Sequence, residues 1–167
     1  MTTPSEPLYR EIPLTQGQVT RVSVHRFEEL NSFKWYAQWN STTKSFYAVR
    51  NTSRVNGKSY ILSMQRQILG LSREDPRQGD HENHDTLDNM DGNLRIATRT
   101  QNRHNFRINK NNTSGFRGVY PRGRRWTSRI FVSGRQLYLG ERDTPQEASE
   151  LYCQAARLYR GEFAKVD

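Results

Sequence analysis

Apolar residues are scarce in this chain, and their scarcity limits the size of any core that it can build. Only 33% of the 167 residues are hydrophobic, and the mean hydropathy is −0.98. A chain of this length forms one domain or two small ones. With so little apolar material, we predict small, surface-rich modules rather than one large core.

The same composition excludes several classes of protein. No stretch approaches the roughly 20 apolar residues that a membrane span requires. The first seven residues are polar and lack the apolar region of a secretory signal. The lone Cys153 excludes an internal disulfide and a cysteine-based zinc site, and it fits a reducing compartment. We therefore expect a cytoplasmic protein without a membrane partner.

Charge is distributed unevenly along the chain. The 26 Lys and Arg residues outnumber the 17 Asp and Glu residues, which gives a net charge of +9. Residues 1–79 hold 11 basic and 6 acidic side chains, a net charge of +5. Residues 80–109 hold 4 basic and 5 acidic side chains, a net charge of −1. Residues 110–167 hold 11 basic and 6 acidic side chains, a net charge of +5. Two basic flanks around a near-neutral segment indicate a polyanionic partner, most often nucleic acid.

Residue patterns divide the chain into four parts. These are a tail (1–11), a β scaffold with a catalytic segment (12–109, core at about 78–109), a linker (110–115) and a sheet-plus-helix domain (116–167). Strands are predicted over 19–24, 35–39, 46–49, 60–62, 94–96, 118–120, 126–132 and 136–139, with a turn at Asn56-Gly57. A polar helix is predicted over 98–109. The last helix opens at Thr144 with a capping box, because Pro145 and Glu147 follow at the required positions.

Residues 80–105 combine Asp, Asn and His side chains at unusual density. Their oxygen donors suit a divalent cation, although a turn rich in Asp and Asn is the plainer interpretation. The order of residues adds information, since Asp80-His81, Leu87-Asp88-Asn89, Asn93-Leu94-Arg95, Gln101-Asn102 and Asn105 follow one another within this segment. This order resembles the HNH nuclease family, which is built on a ββα-metal (His-Me finger) fold.

The resemblance implies a role for each matched position. His81 corresponds to the general base that takes a proton from the attacking water, and Asn93 to the central Asn that ties the loop between the strands. Asp80 and Asn102 correspond to the metal ligands, with magnesium expected first and manganese or another divalent ion as alternatives. Arg95 is expected to contact phosphate within the catalytic site. An imidazole with an ordinary pKa near 6.5 suits the general base.

Two further histidines lie in the same segment. His84 is expected to be a solvated loop residue, with a supporting or phosphate-binding role as the alternative. His104 follows Asn102 by two positions, so on a helix it faces elsewhere. Zinc bound by these histidines has no regular ligand spacing here.

A second pattern spans about 50 residues at the C-terminus. Its matching positions are 114–120, 126, 130, 137–140, 144, 147–148, 152, 155–156, 160–161 and 164. They resemble the DNA-binding domain of plant APETALA and ethylene-response transcription factors, which also occurs fused to HNH nucleases. In that family the exposed face of the sheet lies in the major groove, and the helix supports it.

Strand alternation selects the side chains that we expect to meet DNA. The residues predicted to face the duplex are Arg117, Tyr120, Arg122, Thr127, Arg129, Gln136 and Tyr138. The residues expected to meet phosphates are Arg124, Arg125 and Arg135. Arginine can pair with guanine and glutamine with adenine through two hydrogen bonds, each worth roughly 1–3 kcal/mol of discrimination.

Together these patterns predict an α+β protein. It would hold an N-terminal β-rich scaffold, a ββα-metal HNH centre and a C-terminal three-stranded antiparallel sheet packed on one helix. The two resemblances imply a site-specific, metal-dependent endonuclease for double-stranded DNA, of the phage or bacterial homing type. It would act in the bacterial host cytoplasm, as a monomer or homodimer without an obligate protein partner. The alternatives are a DNA-binding regulator with an inactive nuclease centre, and a restriction-type HNH nuclease.

Overall fold

A computed structural model describes residues 7–54, 57–104, 108, 111–164 and 166. The chain folds as two compact units that divide between Thr98 and Arg99. Both units combine strands with helices, so the predicted α+β class is confirmed. The predicted turn residue Asn56, and residues 105–107 and 109 of the predicted polar helix, lie outside the described residues.

The first unit is built mainly from short strands. In chain order its elements are β1 (Tyr9–Pro13), β2 (Val19–Ser23), a 3-10 turn (Val24–Arg26), α1 (Phe27–Asn31), β3 (Tyr36–Asn40), β4 (Ser45–Asn51), β5 (Ile61–Ser63), α2 (Met64–Ile68), β6 (Gln78–His81), β7 (Asp88–Asn89), a second 3-10 turn (Asp91–Asn93) and β8 (Leu94–Ala97). Strand β2 lies between β1 and β7, β4 lies between β3 and β5, and β6 pairs with β8.

Residues 9–11 do not form the predicted tail. They belong to β1, which pairs antiparallel with β2 from Tyr9 opposite Ser23 to Pro13 opposite Val19. The pairing is anchored by burial, since Ile12 is 3% exposed and enters the core of the first unit. Ile12 is the single buried side chain of β1, which is too weak a pattern to predict this strand from the sequence.

The core of the first unit draws on strands and helices alike. Its buried members are Ile12, Val22, Phe27, Leu30, Trp35, Ala48, Met64, Ile68 and Leu94. Burying a large apolar side chain contributes about 1.5–3 kcal/mol, so this cluster is the main apolar contribution to the stability of the unit. Trp35 satisfies its indole N–H inside the core by donating to the Leu30 carbonyl at 2.7 Å.

The antiparallel pair β6–β8 carries Asp80, His81 and Arg95, and Asn93 ends the 3-10 turn directly before β8. Helix α2 packs closely behind β6 at Gly79, where a Cβ would stand 2.7 Å from the Cγ of Gln65. Glycine at this position therefore lets the helix support the strand that holds Asp80 and His81.

The second unit has the predicted sheet-and-helix form. Its elements are α3 (Arg99–His104), β9 (Val119–Arg122), β10 (Arg125–Val132), β11 (Arg135–Arg142), α4 (Pro145–Arg160) and a 3-10 turn (Gly161–Phe163). The sheet is antiparallel in the order β11-β10-β9, as predicted, and α4 packs on it through a core of Ile130, Tyr152, Ala155 and Ala156. The capping box is confirmed, because Thr144 and Glu147 bind each other's backbone N–H groups at 3.2 Å.

Residues 111–115, predicted as a linker, are tied to the second unit. The Asn112 side chain accepts from the backbone N–H of Gly115 at 2.7 Å and donates to the Phe116 carbonyl at 2.9 Å. The Ser114 hydroxyl lies 3.0 Å from the carbonyl of Val119 on β9. These bonds turn the segment into the first turn of the sheet domain.

Among the residues that the structure describes, no helix combines the length and the apolar character needed to cross a membrane.

Gly118 provides a test of the packing in the second unit. A Cβ at Gly118 would overlap the Arg129 carbonyl oxygen and the Tyr152 ring, and its φ is +65°. We predict that Gly118→Ala lowers the free energy of unfolding by about 4 kcal/mol or more, because the sheet and α4 must separate. Gly123→Ala is the matched control, since Gly123 has a similar φ of +61° but no atom within 4 Å. It should cost only about 1–2 kcal/mol. Urea unfolding of both variants measures the difference, and equal losses would contradict the packing argument.

Candidate active site and nucleic-acid interface

Asp80 and His81 are neighbours on β6, and both are buried. They are 4% and 6% exposed. The register of the antiparallel pair places Arg95 opposite Asp80 and Leu94 opposite His81. Because successive side chains of a strand point to opposite faces, the carboxylate and the imidazole meet different neighbours.

His81 belongs to a chain of buried polar groups that reaches β2. Its Nε2 lies 3.2 Å from Asn89 Oδ1, and Asn89 Nδ2 donates to Thr20 Oγ1 at 2.9 Å. The Thr20 hydroxyl in turn donates to the Leu87 carbonyl at 2.7 Å. Asn89 and Thr20 are both fully buried. The Tyr47 ring also stands edge-on to the imidazole, with 6.2 Å between ring centroids, so the ring is held by polar and apolar contacts.

Burial lowers the pKa of His81 below its ordinary value of 6.5. The charged imidazolium loses hydration inside the protein, and this loss outweighs the opposing hydrogen bond to Asn89 and the negative charge of Asp80. The imidazole is therefore neutral at pH 7, which is the form that accepts a proton.

Arg95 holds the Asp80 carboxylate. Its Nε lies 2.9 Å from Asp80 Oδ2, and its Nη1 lies 3.7 Å from Glu82 Oε1. Both side chains of the Asp80–Arg95 pair are largely buried, at 5% and 17% exposed. Burial of both charges is tolerated because they are paired. In the structure Arg95 thus pairs with Asp80, and its contact with phosphate stays a prediction.

Asn93 binds the loop that joins β6 to β7. Its side-chain oxygen accepts from the Asn83 backbone N–H at 3.0 Å, and its amide donates to the Asp88 carbonyl at 2.8 Å. Its own carbonyl accepts from the Glu82 N–H at 3.0 Å. One buried side chain therefore holds both ends of this loop, directly after His81.

His84 lies within the same loop and is half-buried rather than solvated. Its φ of +64° is in the left-handed region, which is uncommon for residues other than glycine. Its backbone N–H donates to the His81 carbonyl at 3.1 Å, which closes the turn after β6.

The last predicted metal ligand, Asn102, lies on α3 in the second unit and is half-buried. The matched position Asn105 lies outside the described residues. The carboxylate of Asp80 and the amide oxygen of Asn102 are each a type of donor that suits Mg²⁺ or Mn²⁺, and their joint binding of one cation stays a prediction. Within the described ranges, no group of three or more His, Cys, Asp or Glu is placed to hold a metal ion. A cation at Asp80 would also compete with Arg95 for the carboxylate.

In the second unit, one face of the sheet carries aromatic and basic side chains. Tyr120, Phe131 and Tyr138 are 46%, 57% and 59% exposed. The register sets Arg129 opposite Tyr138 and Phe131 opposite Gln136, so these four side chains form a patch on adjacent strands. Phe131 was not among the predicted contacts, although its alternation with Arg129 in β10 was available in the sequence.

Thr127 is a correction to the predicted interface. It shares the face of Tyr120, its partner on β9, but it is only 2% exposed. Thr127 lies on the central strand, where Tyr120 and Glu141 flank it on the two neighbouring strands. Strand alternation predicted an exposed side chain at this position, and the structure has a buried one. Ser128, the next residue, is fully buried as well.

The other predicted contacts differ in their surroundings. Arg122 and Arg125 are exposed and lie opposite each other, and each has an acidic partner, Glu141 for Arg122 and Asp143 for Arg125. The acidic partners offset the repulsion between the two arginines. Arg124, Arg135 and Gln136 are exposed, whereas Arg117 is half-buried.

The comparisons with known proteins concern a short part of the chain. No protein-family model matches it. It is 40% identical over 60 residues to the APETALA2-like protein 2 of Oryza sativa, in both subspecies indica and japonica, and to the AP2-like ethylene-responsive transcription factor TOE2 of Arabidopsis thaliana. Each match covers 35% of this chain, 14% of the rice proteins and 12% of the Arabidopsis protein. The chain thus spans about one seventh of the length of these curated relatives.

The lowered pKa of His81 predicts how stability depends on pH. In the unfolded chain the imidazole gains its proton near pH 6.5, whereas in the folded protein it stays neutral to lower pH. The unfolded state then binds more protons, so the free energy of unfolding falls as the pH drops below 6.5. The loss cannot exceed about 1.4 kcal/mol per pH unit. Urea unfolding between pH 5 and pH 8 measures it, and His81→Gln should show a shallower fall. Identical pH profiles would contradict the effect.

Proposed function

We propose that the protein binds double-stranded DNA through the exposed sheet face of its second unit. The observation that carries this proposal is the 40% identity over 60 residues to proteins that include a named transcription factor. The residues of the resemblance, 114–164, lie in that unit, and its sheet exposes arginine, glutamine and aromatic side chains on one face. Arginine and glutamine can read base edges, while the surrounding arginines neutralise phosphates.

The first unit supplies further positive charge for such a partner. Residues 30–73 contain seven Lys and Arg residues and no Asp or Glu. This stretch includes β3, β4 and β5, and the connection between β3 and β4 is exposed. The scaffold therefore suits additional contacts with a DNA backbone.

The sheet face is tested by removing one arginine. Arg129→Ala should weaken specific duplex binding by roughly 1–3 kcal/mol, because it removes a contact on the central strand. Arg157→Ala is the matched control, since Arg157 is exposed on α4, away from the sheet face, and carries the same charge. Fluorescence anisotropy with a duplex selected on the wild-type protein measures both affinities at two salt concentrations. Wild-type affinity should fall steeply with salt; equal effects of the two variants would place the interface elsewhere.

We further propose that the first unit is the nuclease centre of an HNH endonuclease that cleaves this DNA at specific sites. The observation that favours a reaction is the burial of Asp80 and His81 on β6 and of Asn93 just before β8, together with the lowering of the pKa of His81 by burial. A turn rich in Asp and Asn does not require a buried histidine whose pKa is lowered. Homing enzymes need this combination of a specific DNA-binding unit and a cutting unit.

In this mechanism each residue has a defined task. His81 accepts a proton from the water that attacks the phosphodiester, and Asn93 keeps the following loop in place. Asp80 is the residue of the first unit that would hold a divalent cation, with Arg95 balancing its charge. The cation, when bound, stabilises negative charge on the phosphate and the leaving oxygen. General-base assistance contributes roughly 10²–10⁴-fold to such reactions.

Cleavage of supercoiled plasmid tests this proposal. Wild-type protein with Mg²⁺ should give nicked or linear DNA, and EDTA should abolish the product. His81→Ala should lower the rate by about 10²-fold or more while DNA binding persists. His25→Ala is the matched control, because this imidazole is exposed and should leave the rate unchanged.

The alternatives predict different results in the same assay. A target site absent from the plasmid is addressed by repeating the assay on genomic DNA. Specific binding without any cleavage there would favour a DNA-binding regulator with an inactive centre, which the known relatives suit. Cleavage of unrelated duplexes at many short sites would favour a restriction-type nuclease.

A further inference from the structure

We propose that Thr20 and Asn89 determine which nitrogen of His81 carries the proton, and thereby act as positioning residues for this histidine. A neutral imidazole has two forms, with hydrogen on Nδ1 or on Nε2, and only the other nitrogen can accept a proton. The choice between them is made by the hydrogen-bond partners of the ring. The catalytic consequence rests on the proposed nuclease function, whereas the position of the proton can be measured without it.

The direction of the hydrogen bonds is set at the Leu87 carbonyl. A carbonyl oxygen only accepts hydrogen bonds, and the Leu87 oxygen is 2.7 Å from the Thr20 hydroxyl. The other acceptor near this hydroxyl, the Met64 sulfur, is weaker and 4.0 Å away, so the single hydrogen goes to the Leu87 carbonyl. The oxygen of that hydroxyl is then left as an acceptor. Its partner at 2.9 Å, the Asn89 side chain, has to present its NH₂ group to it.

This orientation of Asn89 determines the state of His81. With the amide nitrogen turned to Thr20, the atom that faces the imidazole is Asn89 Oδ1, which accepts only. His81 Nε2, at 3.2 Å, therefore carries the hydrogen, and the lone pair lies on Nδ1. Every bond in the chain from Leu87 to His81 thus runs in one direction.

Burial and strand pairing keep this chain in place. Thr20 and Asn89 are 0% exposed, so water does not replace either partner. Thr20 lies on β2 and Asn89 on β7, and these strands pair in parallel with Val22 opposite Asn89. The Thr20 backbone therefore cannot shift without breaking this pairing, and a strand of the scaffold sets a property of the candidate catalytic residue.

The proton position is measured by nitrogen-15 NMR of the imidazole at pH 8, where His81 is neutral. His81→Gln identifies the His81 signals by their disappearance. Wild-type protein should show a single form with hydrogen on Nε2. Thr20→Val removes the hydroxyl that orients Asn89, with little change in shape. A measurable fraction of the imidazole should then carry its hydrogen on Nδ1. Thr20→Ser keeps the hydroxyl and should match wild type.

Two results would overturn the proposal. One is a wild-type spectrum with hydrogen on Nδ1, which needs no variant and stays decisive if Thr20→Val fails to fold. The other is a folded Thr20→Val protein whose spectrum equals that of wild type.

Cleavage kinetics then show whether Thr20 acts on catalysis through His81 or only on the stability of the fold. Thr20→Val should lower kcat by roughly tenfold, since both the proton and the ring lose their defined placement, with duplex affinity unchanged and Thr20→Ser restoring the rate. A changed tautomer with an unchanged kcat would refute the positioning role. If wild-type protein shows no cleavage, the nuclease proposal fails, while the NMR result still decides where the proton lies.

Discussion

Buried polar groups have to find hydrogen-bond partners, and this requirement organises the first unit around its candidate site. The polar chain from Leu87 through Thr20 and Asn89 to His81 meets it without water. The ion pair of Asp80 with Arg95 meets it on the other face of β6. An unpartnered buried group would cost about 1–3 kcal/mol, a large fraction of the stability of a small unit. The same bonds that make burial possible also hold the imidazole in one orientation.

The second unit differs from the first because its charged side chains lie mainly on the surface rather than in buried pairs. Its core is small and apolar, with Ile130 and Tyr152 at its centre, and the basic side chains remain on the outer face of the sheet. Exposed arginines cost little in water because they stay hydrated. Arg122 and Arg125, which lie opposite each other, have Glu141 and Asp143 as counterions. A polyanion bound at this face would replace those counterions.

Local signals in the sequence predicted local structure well. The capping box at Thr144 and the strands of the second unit depend on residues close together in the chain, and both are confirmed. Predictions failed where distant residues intervene. Thr127 is buried on the central strand of its sheet although alternation predicted it exposed, and β1 forms by pairing with β2. The periodic pattern of apolar residues within one segment does not report such contacts between distant segments.

The class of fold and the basic character of the two flanks could be predicted from composition, spacing and alternation, which are properties of single segments. The residues of the candidate site were predicted from the resemblance of residues 80–105 to the HNH family, and their roles stay predictions. The pairing of Arg95 with Asp80 and the link from His81 through Asn89 to Thr20 became visible only in the folded chain. Thr20 and Asn89 are 69 residues apart along the chain. Their contact depends on the parallel pairing of β2 with β7, and pairing between distant strands is set by the packing of the whole unit.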